Sequence, residues 1–458
     1  MTTAALTPAS RRRPPGPRDF FFGFGLLYRL LKDYLGVVQD NHRRHGDVVY
    51  MRFGHLQDYS VNHPDLIREV LVEKGKSFIR WERGIEVFAQ AHGQSVLTSE
   101  GDTWQRQRRM LQPGFGPKRF EGYARQMVAA AAPALDALPV SASQPLDFEG
   151  AMTLLTMDVI LRTMFSLGTV PEASAAAEAV KVISHAGMRE MYLPFDPPAW
   201  MLPWRREKER SLKLLDELVR RFVRERRAAP GEQQDLLGML LSVRDDEGDR
   251  QGLSDEEVRD QCMTIFLAGH ETTATALTWW GWAMAAHPQI AERAAREVDE
   301  VVGGREPTYA DVGQLAYLGQ TLKETMRLRP PAAALLSRQA IEDVTIGGWR
   351  VPRGAMVRIT PYAVHHDPRW FPEPERFDPD RFAPERAEQM PRGAYLPFGA
   401  GPRVCIGSMF ATIEMTLIAA LLLQRFRFAL PPQAPAPMPR LNVTLRPAEG
   451  LRLLLRRR

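Results

Sequence analysis

Near the C-terminal end, ten residues combine side chains and backbone freedom suited to holding a metal through sulfur: Phe398-Gly399-Ala400-Gly401-Pro402-Arg403-Val404-Cys405-Ile406-Gly407. A lone cysteine is ordinarily a small buried hydrophobe. Here two glycines and a proline make a turn in which no Cβ keeps the backbone away from something flat. Cys405 stands just ahead of an apolar stretch, residues 408–423, that reads as a buried helix. Backbone N–H groups and the positive end of that helix favour the thiolate over the thiol. A thiolate in an apolar, amide-lined pocket suits a metal axial ligand. Arg403 can bind a carboxylate through paired N–H donors, and Gly407 lets the helix start lie against a ring.

A second constellation lies upstream in Ala268-Gly269-His270-Glu271-Thr272-Thr273. Glycine weakens a helix locally, and the Thr272 hydroxyl competes for the carbonyl four residues back. A gap admitting oxygen and water is therefore expected there. An acid beside an alcohol is the pairing needed to deliver protons to dioxygen. Such a hexapeptide alone is a weak signal, because buried helices often carry threonine, and His270 and Thr273 read as structural. Farther on, Glu324 and Arg327 lie three apart on one helix face, where an exposed pair is worth only about 0.3–0.5 kcal/mol. Trp104 and Arg108, four apart, also share a helix face, whereas Arg106 and Arg109 point elsewhere.

The elements that must position these groups follow from patterning. A long helix starts at Ser254, with Glu257 three residues later in capping-box spacing, and stops near Ala286 before His287-Pro288. At about 1.5 Å per residue it spans roughly 50 Å. Helical spacing also marks residues 26–44, 64–74, 146–227 (interrupted at 193–198) and 290–301. Residues 47–53 alternate as a strand, 346–359 read as short strands around Gly347-Gly348, and the Pro-rich 431–439 leads to a last hairpin. Residues 77–100 show no sustained period and read as a mobile loop. The whole is mainly α with a small β lobe.

From residue 47 to the C-terminus the motifs, in order, resemble those of the cytochrome P450 superfamily. The cysteine loop matches Phe-x-x-Gly-x-Arg-x-Cys-x-Gly at every fixed position. The resemblance implies the P450 fold, with its long central helix over the haem, and one haem b (iron protoporphyrin IX). Cys405 would be its thiolate and metal ligand, with Phe398 beside the sulfur and Gly407 and Ala268 against the ring. Arg403, Trp104, Arg108 and Arg338 would meet its propionates. Thiolate ligation pushes electron density onto iron and favours O–O cleavage. Thr272 would stand at the oxygen and Glu271 in the proton path. Glu324, Arg327 and Arg376 would form a buried network under the haem loop. The pocket would draw on Trp81, Ile85, Phe88, Leu97, Phe266, Ala333 and Leu336, and the 193–198 break would be the flexible cover of a channel.

Length and composition bound the rest. The 458 residues would suggest about three domains, but no linker supports a cut, so one domain over 1–458 is expected, with 1–25 a flexible N-terminal segment. The formal net charge is only +5, and no zinc spacing, helix-turn-helix or stacking motif accompanies it, which argues against nucleic acid. Two cysteines argue for a reducing, cytoplasmic setting. Charges at Arg29, Lys32 and Asp33 interrupt the first apolar cluster, and no stretch of about twenty apolar residues forms an integral membrane segment. A peripheral contact through residues 20–24 is a minor alternative. His365-His366 lacks a matching ligand set and reads as structural.

The expected function is monooxygenation of a lipophilic small molecule with O2 and NAD(P)H-derived electrons. With no flavin or iron–sulfur segment in the chain, a separate ferredoxin or flavodoxin with its reductase is implied. Arg106, Arg109, Lys118 and Arg119 form a basic group that could face an acidic donor. The rivals are a peroxide-driven haem-thiolate enzyme or isomerase, and a haem sensor or carrier without turnover. Fatty acids, terpenoids and polyketides all fit an apolar pocket.

Overall fold

The computed structural model describes residues 13–18, 23–141, 143–167, 173–191, 193, 201–229, 235–245, 248 and 250–458. Residues 194–198 of the expected channel cover and 20–22 of the first apolar cluster fall outside that set.

The described residues form two compact units. The first draws on Met1–Gly84, Ala333–Glu375 and Met390–Cys405. Its centre is a five-stranded sheet ordered Val48–Phe53, Leu56–Val61, Met356–Ile359, Arg338–Ala340 and Phe78–Arg80. The first two strands are a hairpin in register from Val48↔Val61 to Phe53↔Leu56, turned by Gly54 at φ 59°, a conformation glycine reaches without strain. Leu56–Val61 then pairs in parallel with Met356–Ile359. Tyr59, Val61, Ile67, Val70, Val357, Ile359 and Leu396 are in the core beneath. The expected helix over 26–44 is two, Phe24–Lys32 and Tyr34–His45. Asp33 divides them because its carboxylate accepts the Gly36 N–H at 2.9 Å as the cap of the second.

The mobile loop expected over 77–100 is instead the strand Phe78–Arg80 followed by the helix Glu82–His92. Its buried positions are Gly84, Val87, Ala91 and His92. Side chains that small or polar leave little apolar period to read.

The second unit draws on Ile85–Ala332, Arg376–Gln389 and Ile406–Arg458 and is largely helical. Its axis is the helix Asp255–Ala286, 32 residues long and started by the Ser254–Glu257 capping box. The helices Phe148–Phe165, Arg205–Ala228, Ala316–Leu328 and Ser408–Arg425 pack on it. Two glycines allow the closest approach: a Cβ at Gly281 would lie 2.3 Å from the Phe148 ring, and one at Gly269 3.0 Å from Ile160. Among the described residues one helix, Ser408–Arg425, is long and apolar enough to cross a membrane. It packs against Pro117–Asp136, Pro288–Val301 and the long helix, so its apolar side chains serve a protein core. A three-stranded sheet (Leu146–Asp147, Arg452–Arg457, Phe426–Ala429) and the hairpin Pro439–Leu441/Leu445–Pro447 complete this unit.

Candidate haem-thiolate site

In the first unit the cysteine loop is closed by its own backbone. The Cys405 N–H donates to the Phe398 carbonyl at 2.9 Å, and Val404 N–H to Gly401 at 3.0 Å. Gly399 and Gly401 adopt φ 75° and 72°, and a Cβ at Gly401 would come within 2.0 Å of the Leu71 carbonyl oxygen. Both glycines are therefore conformational requirements of the loop. The Leu396 N–H donates at 2.8 Å to Nε2 of buried His365, which assigns the ring proton to Nδ1. That pair of histidines is structural: Nδ1 of His366 bonds the Tyr362 carbonyl at 2.8 Å. Phe398 and Arg403 are half-buried and Cys405 is exposed. Cys262 is the opposite, fully buried with its thiol pushed up by desolvation. Arg338 is buried, its Nη1 3.1 Å from the Ser337 carbonyl and 3.3 Å from that of Leu336.

In the second unit the long helix is exposed at its first turn and again at one inner turn, and buried along most of the rest. Ala268 is exposed and Thr272 half-exposed, and residues four apart share a face. The Thr272 hydroxyl donates to the Ala268 carbonyl at 2.8 Å. The gap expected here is absent, because the helix is continuous from Asp255 to Ala286. The hydroxyl bond is added to the helix instead of opening it. Phe266 also departs from expectation. It is two residues from Ala268, about 200° around the helix, fully buried with its ring near Phe165 and His270. It is a core residue. Burial depresses His270 to about 4.

The Glu271 carboxylate is buried and heavily bonded. It accepts from Ser184 Oγ at 2.5 Å and Thr444 Oγ1 at 2.8 Å, and lies 3.3 Å from Arg446 Nη2. Arg446 in turn pairs with Glu149 at 3.2 Å, a carboxyl raised by burial against the pull of that arginine. A chain of charge thus runs from Glu271 through Arg446 to the half-buried Glu149. Nothing local in the sequence announces Ser184, Thr444 or Arg446, which come from a helix and a hairpin remote along the chain. Thr273 has its own acid: Glu414 of the helix Ser408–Arg425, fully buried, with Thr273 Oγ1 3.3 Å away.

The helix Gly101–Leu111 carries Trp104 and Arg108, which with Gln112, Phe115 and Pro117 line a cavity of about 720 Å³. The basic group expected to await a partner is partly committed within the protein. Arg106 Nη1 bonds Glu257 at 2.6 Å, and Arg109 Nη2 bonds Asp245 at 2.7 Å. Lys118 is exposed and Arg119 half-exposed.

The network expected around Glu324 is present and larger. Arg327 grips Glu324 through Nε (2.7 Å) and Nη2 (2.8 Å), with both side chains fully buried. Arg376 contributes its carbonyl, which accepts from Arg327 at 3.2 Å. The Asp378 N–H donates to Glu324 at 2.9 Å, and Arg381, which sequence reasoning missed, places Nε 3.4 Å from the same carboxylate. Burial raises the Glu324 carboxyl and Arg327 opposes that. Of the expected pocket residues, Trp81, Ile85, Phe88, Leu97 and Leu336 are half-buried. Ala333 is fully buried, and its carbonyl accepts the Tyr362 N–H at 3.3 Å.

These residues fit a haem. In the first unit an exposed sulfur on a glycine loop is suited to a thiolate ligand; in the second, Trp104 and Arg108 border a cavity and the long helix bares Ala268, suited to a carboxylate partner and a flat contact. Among the described residues no group of three His, Cys, Asp or Glu gathers for another metal.

The sequence matches the family described as Cytochrome P450 over residues 14–455. Cyclooctatin synthase of Streptomyces melanosporofaciens is 37% identical over 410 residues, covering 88% of each chain. Cyclooctat-9-en-7-ol 5-monooxygenase of the same organism is 35% identical, covering 84% of this chain and 83% of its own. Pentalenene oxygenase of Streptomyces avermitilis is 32% identical, covering 85% and 86%.

Proposed function

This chain belongs to the cytochrome P450 family, the haem-dependent monooxygenases, and from that membership we propose the following assignment. Cys405 is the thiolate ligand of haem b, and the residues 14–455 matched to the family act as one catalytic domain. Arg403, Arg338, Trp104 and Arg108 hold the propionates, Phe398 covers the sulfur, and Gly407 and Ala268 lie against the macrocycle. When bound, the haem supplies the redox chemistry by which one oxygen atom of O2 enters the substrate and the other leaves as water. Thr272 holds a proton at Oγ1, anchored at rest on the Ala268 carbonyl. Glu271, the next acid along the helix, replenishes it, and Arg446, anchored on Glu149, positions the Glu271 carboxylate. Glu324, Arg327 and Arg376, joined by Arg381, brace the support of the cysteine loop.

The observation that carries the reading is the exposed Cys405 sulfur on its glycine loop. Electrons come from NAD(P)H through a ferredoxin or flavodoxin and its reductase, in the cytoplasm. Cyclooctat-9-en-7-ol and pentalenene, the compounds in two relatives' names, favour a lipophilic hydrocarbon or alcohol as substrate. Cys405→Ser should abolish the thiolate signature of the ferrous carbon monoxide spectrum; an unchanged spectrum refutes the ligand. Product formed with NAD(P)H and surrogate partners, and not with peroxide alone, separates this function from its rivals.

A further inference from the structure

The segment that leads into the Cys405 loop, residues 391–400, contains neither helix nor strand. A buried amide there meets no ladder carbonyl, and a buried N–H left unpaired is costly. The Leu396 amide, in the core of the first unit, is met by a side chain instead: it donates at 2.8 Å to Nε2 of His365. His365 ends the short helix Pro361–His365 and is fully buried. Its imidazole is held on two sides, stacked on Tyr395 at 5.4 Å between ring centres and edge-on to Phe371 at 6.2 Å. A ring so fixed points its lone pair in one direction. The adjacent His366 differs, because its Nδ1 bonds the Tyr362 carbonyl within its own helical turn.

From Leu396 the constraint passes along the backbone to the cysteine. The Leu396 carbonyl accepts the Gly399 N–H at 3.2 Å, closing the turn that contains Phe398, and the Phe398 carbonyl accepts the Cys405 N–H at 2.9 Å. We infer that His365 is a positioning residue for the sulfur: by fixing this turn it sets how strongly Cys405 donates to iron. The inference rests on Cys405 being the haem ligand. Groups outside a metal's ligand shell orient the ligand and tune it. A sulfur held off its best position donates less, which raises the iron potential and weakens the bond to iron.

The test compares the wild-type holoprotein with His365→Leu, which removes the acceptor, and His365→Gln, whose amide oxygen can take the Leu396 N–H. In His365→Leu the thiolate signature of the ferrous carbon monoxide complex should decay roughly tenfold faster, and the ferric–ferrous potential should rise. His365→Gln should restore both toward wild type. If His365→Leu does not accumulate as folded protein, His365→Asn, whose shorter side chain stops short of the amide, carries the same prediction. His366→Leu is the control for general damage to the core. Equal decay in His365→Leu and His366→Leu overturns the proposal, and so do a wild-type decay rate and potential in His365→Leu. A wild-type protein that never shows the signature overturns the Cys405 assignment itself, and this inference with it.

Discussion

Glu414→Gln isolates a fully buried acid whose charged form is disfavoured by that burial. Thr273 has one hydroxyl proton and lies 3.1 Å from the Gly269 carbonyl and 3.3 Å from Glu414. That one proton is shared between the two acceptors, so the charged form of the buried carboxyl gains little hydrogen bonding in return for its burial. Desolvation accordingly pushes the Glu414 carboxyl from 4.5 up to about 8, with the threonine bond a smaller opposing effect. At about 1.4 kcal/mol per pH unit, that difference is worth about 5 kcal/mol at most. The folded protein keeps this proton to about pH 8, whereas the unfolded chain releases it near 4.5. The stability contributed is full below 4.5, declines as pH rises, and is lost once pH passes about 8. Glutamine occupies the same space and does not titrate. Relative to wild type, the variant should therefore gain stability between about pH 5 and about pH 8, read as several degrees in Tm by circular dichroism. A wild-type infrared band from a protonated carboxyl near neutral pH should vanish in the variant. A stability difference that stays constant across that pH range refutes the reasoning.

Thr272→Ala should leave the haem spectrum intact and divert NAD(P)H electrons to peroxide; peroxide yield equal to wild type would remove Thr272 from proton handling. Glu324→Gln strips the charge partner from a fully buried arginine, and breaking such a pair costs about 3–5 kcal/mol. It should lower haem content and Tm more than turnover per bound haem, and normal haem content would count against the bracing role. Arg446→Gln leaves Glu271 and Glu149 buried without their shared cation. It should reduce product per electron at unchanged haem content, and wild-type coupling would show that Arg446 does not position Glu271.

What the sequence determined by itself is short in range. Gly399, Gly401 and Cys405 specify their loop because positive φ and an absent Cβ are properties of single residues. The long helix carries its own start signal in Ser254 and Glu257, and Glu324 and Arg327 meet because three residues along a helix share a face. Tertiary packing decided everything that depends on a remote partner. It brought Arg381 to Glu324, Arg446 to Glu271 and Glu414 to Thr273. It also committed Arg106 and Arg109 to Glu257 and Asp245. Phe266 shows the same division: its place in the helix was legible, but whether its ring met core or cavity depended on Phe165. Periodicity orders residues along one element, whereas a buried charge takes whichever partner the neighbouring elements bring within reach.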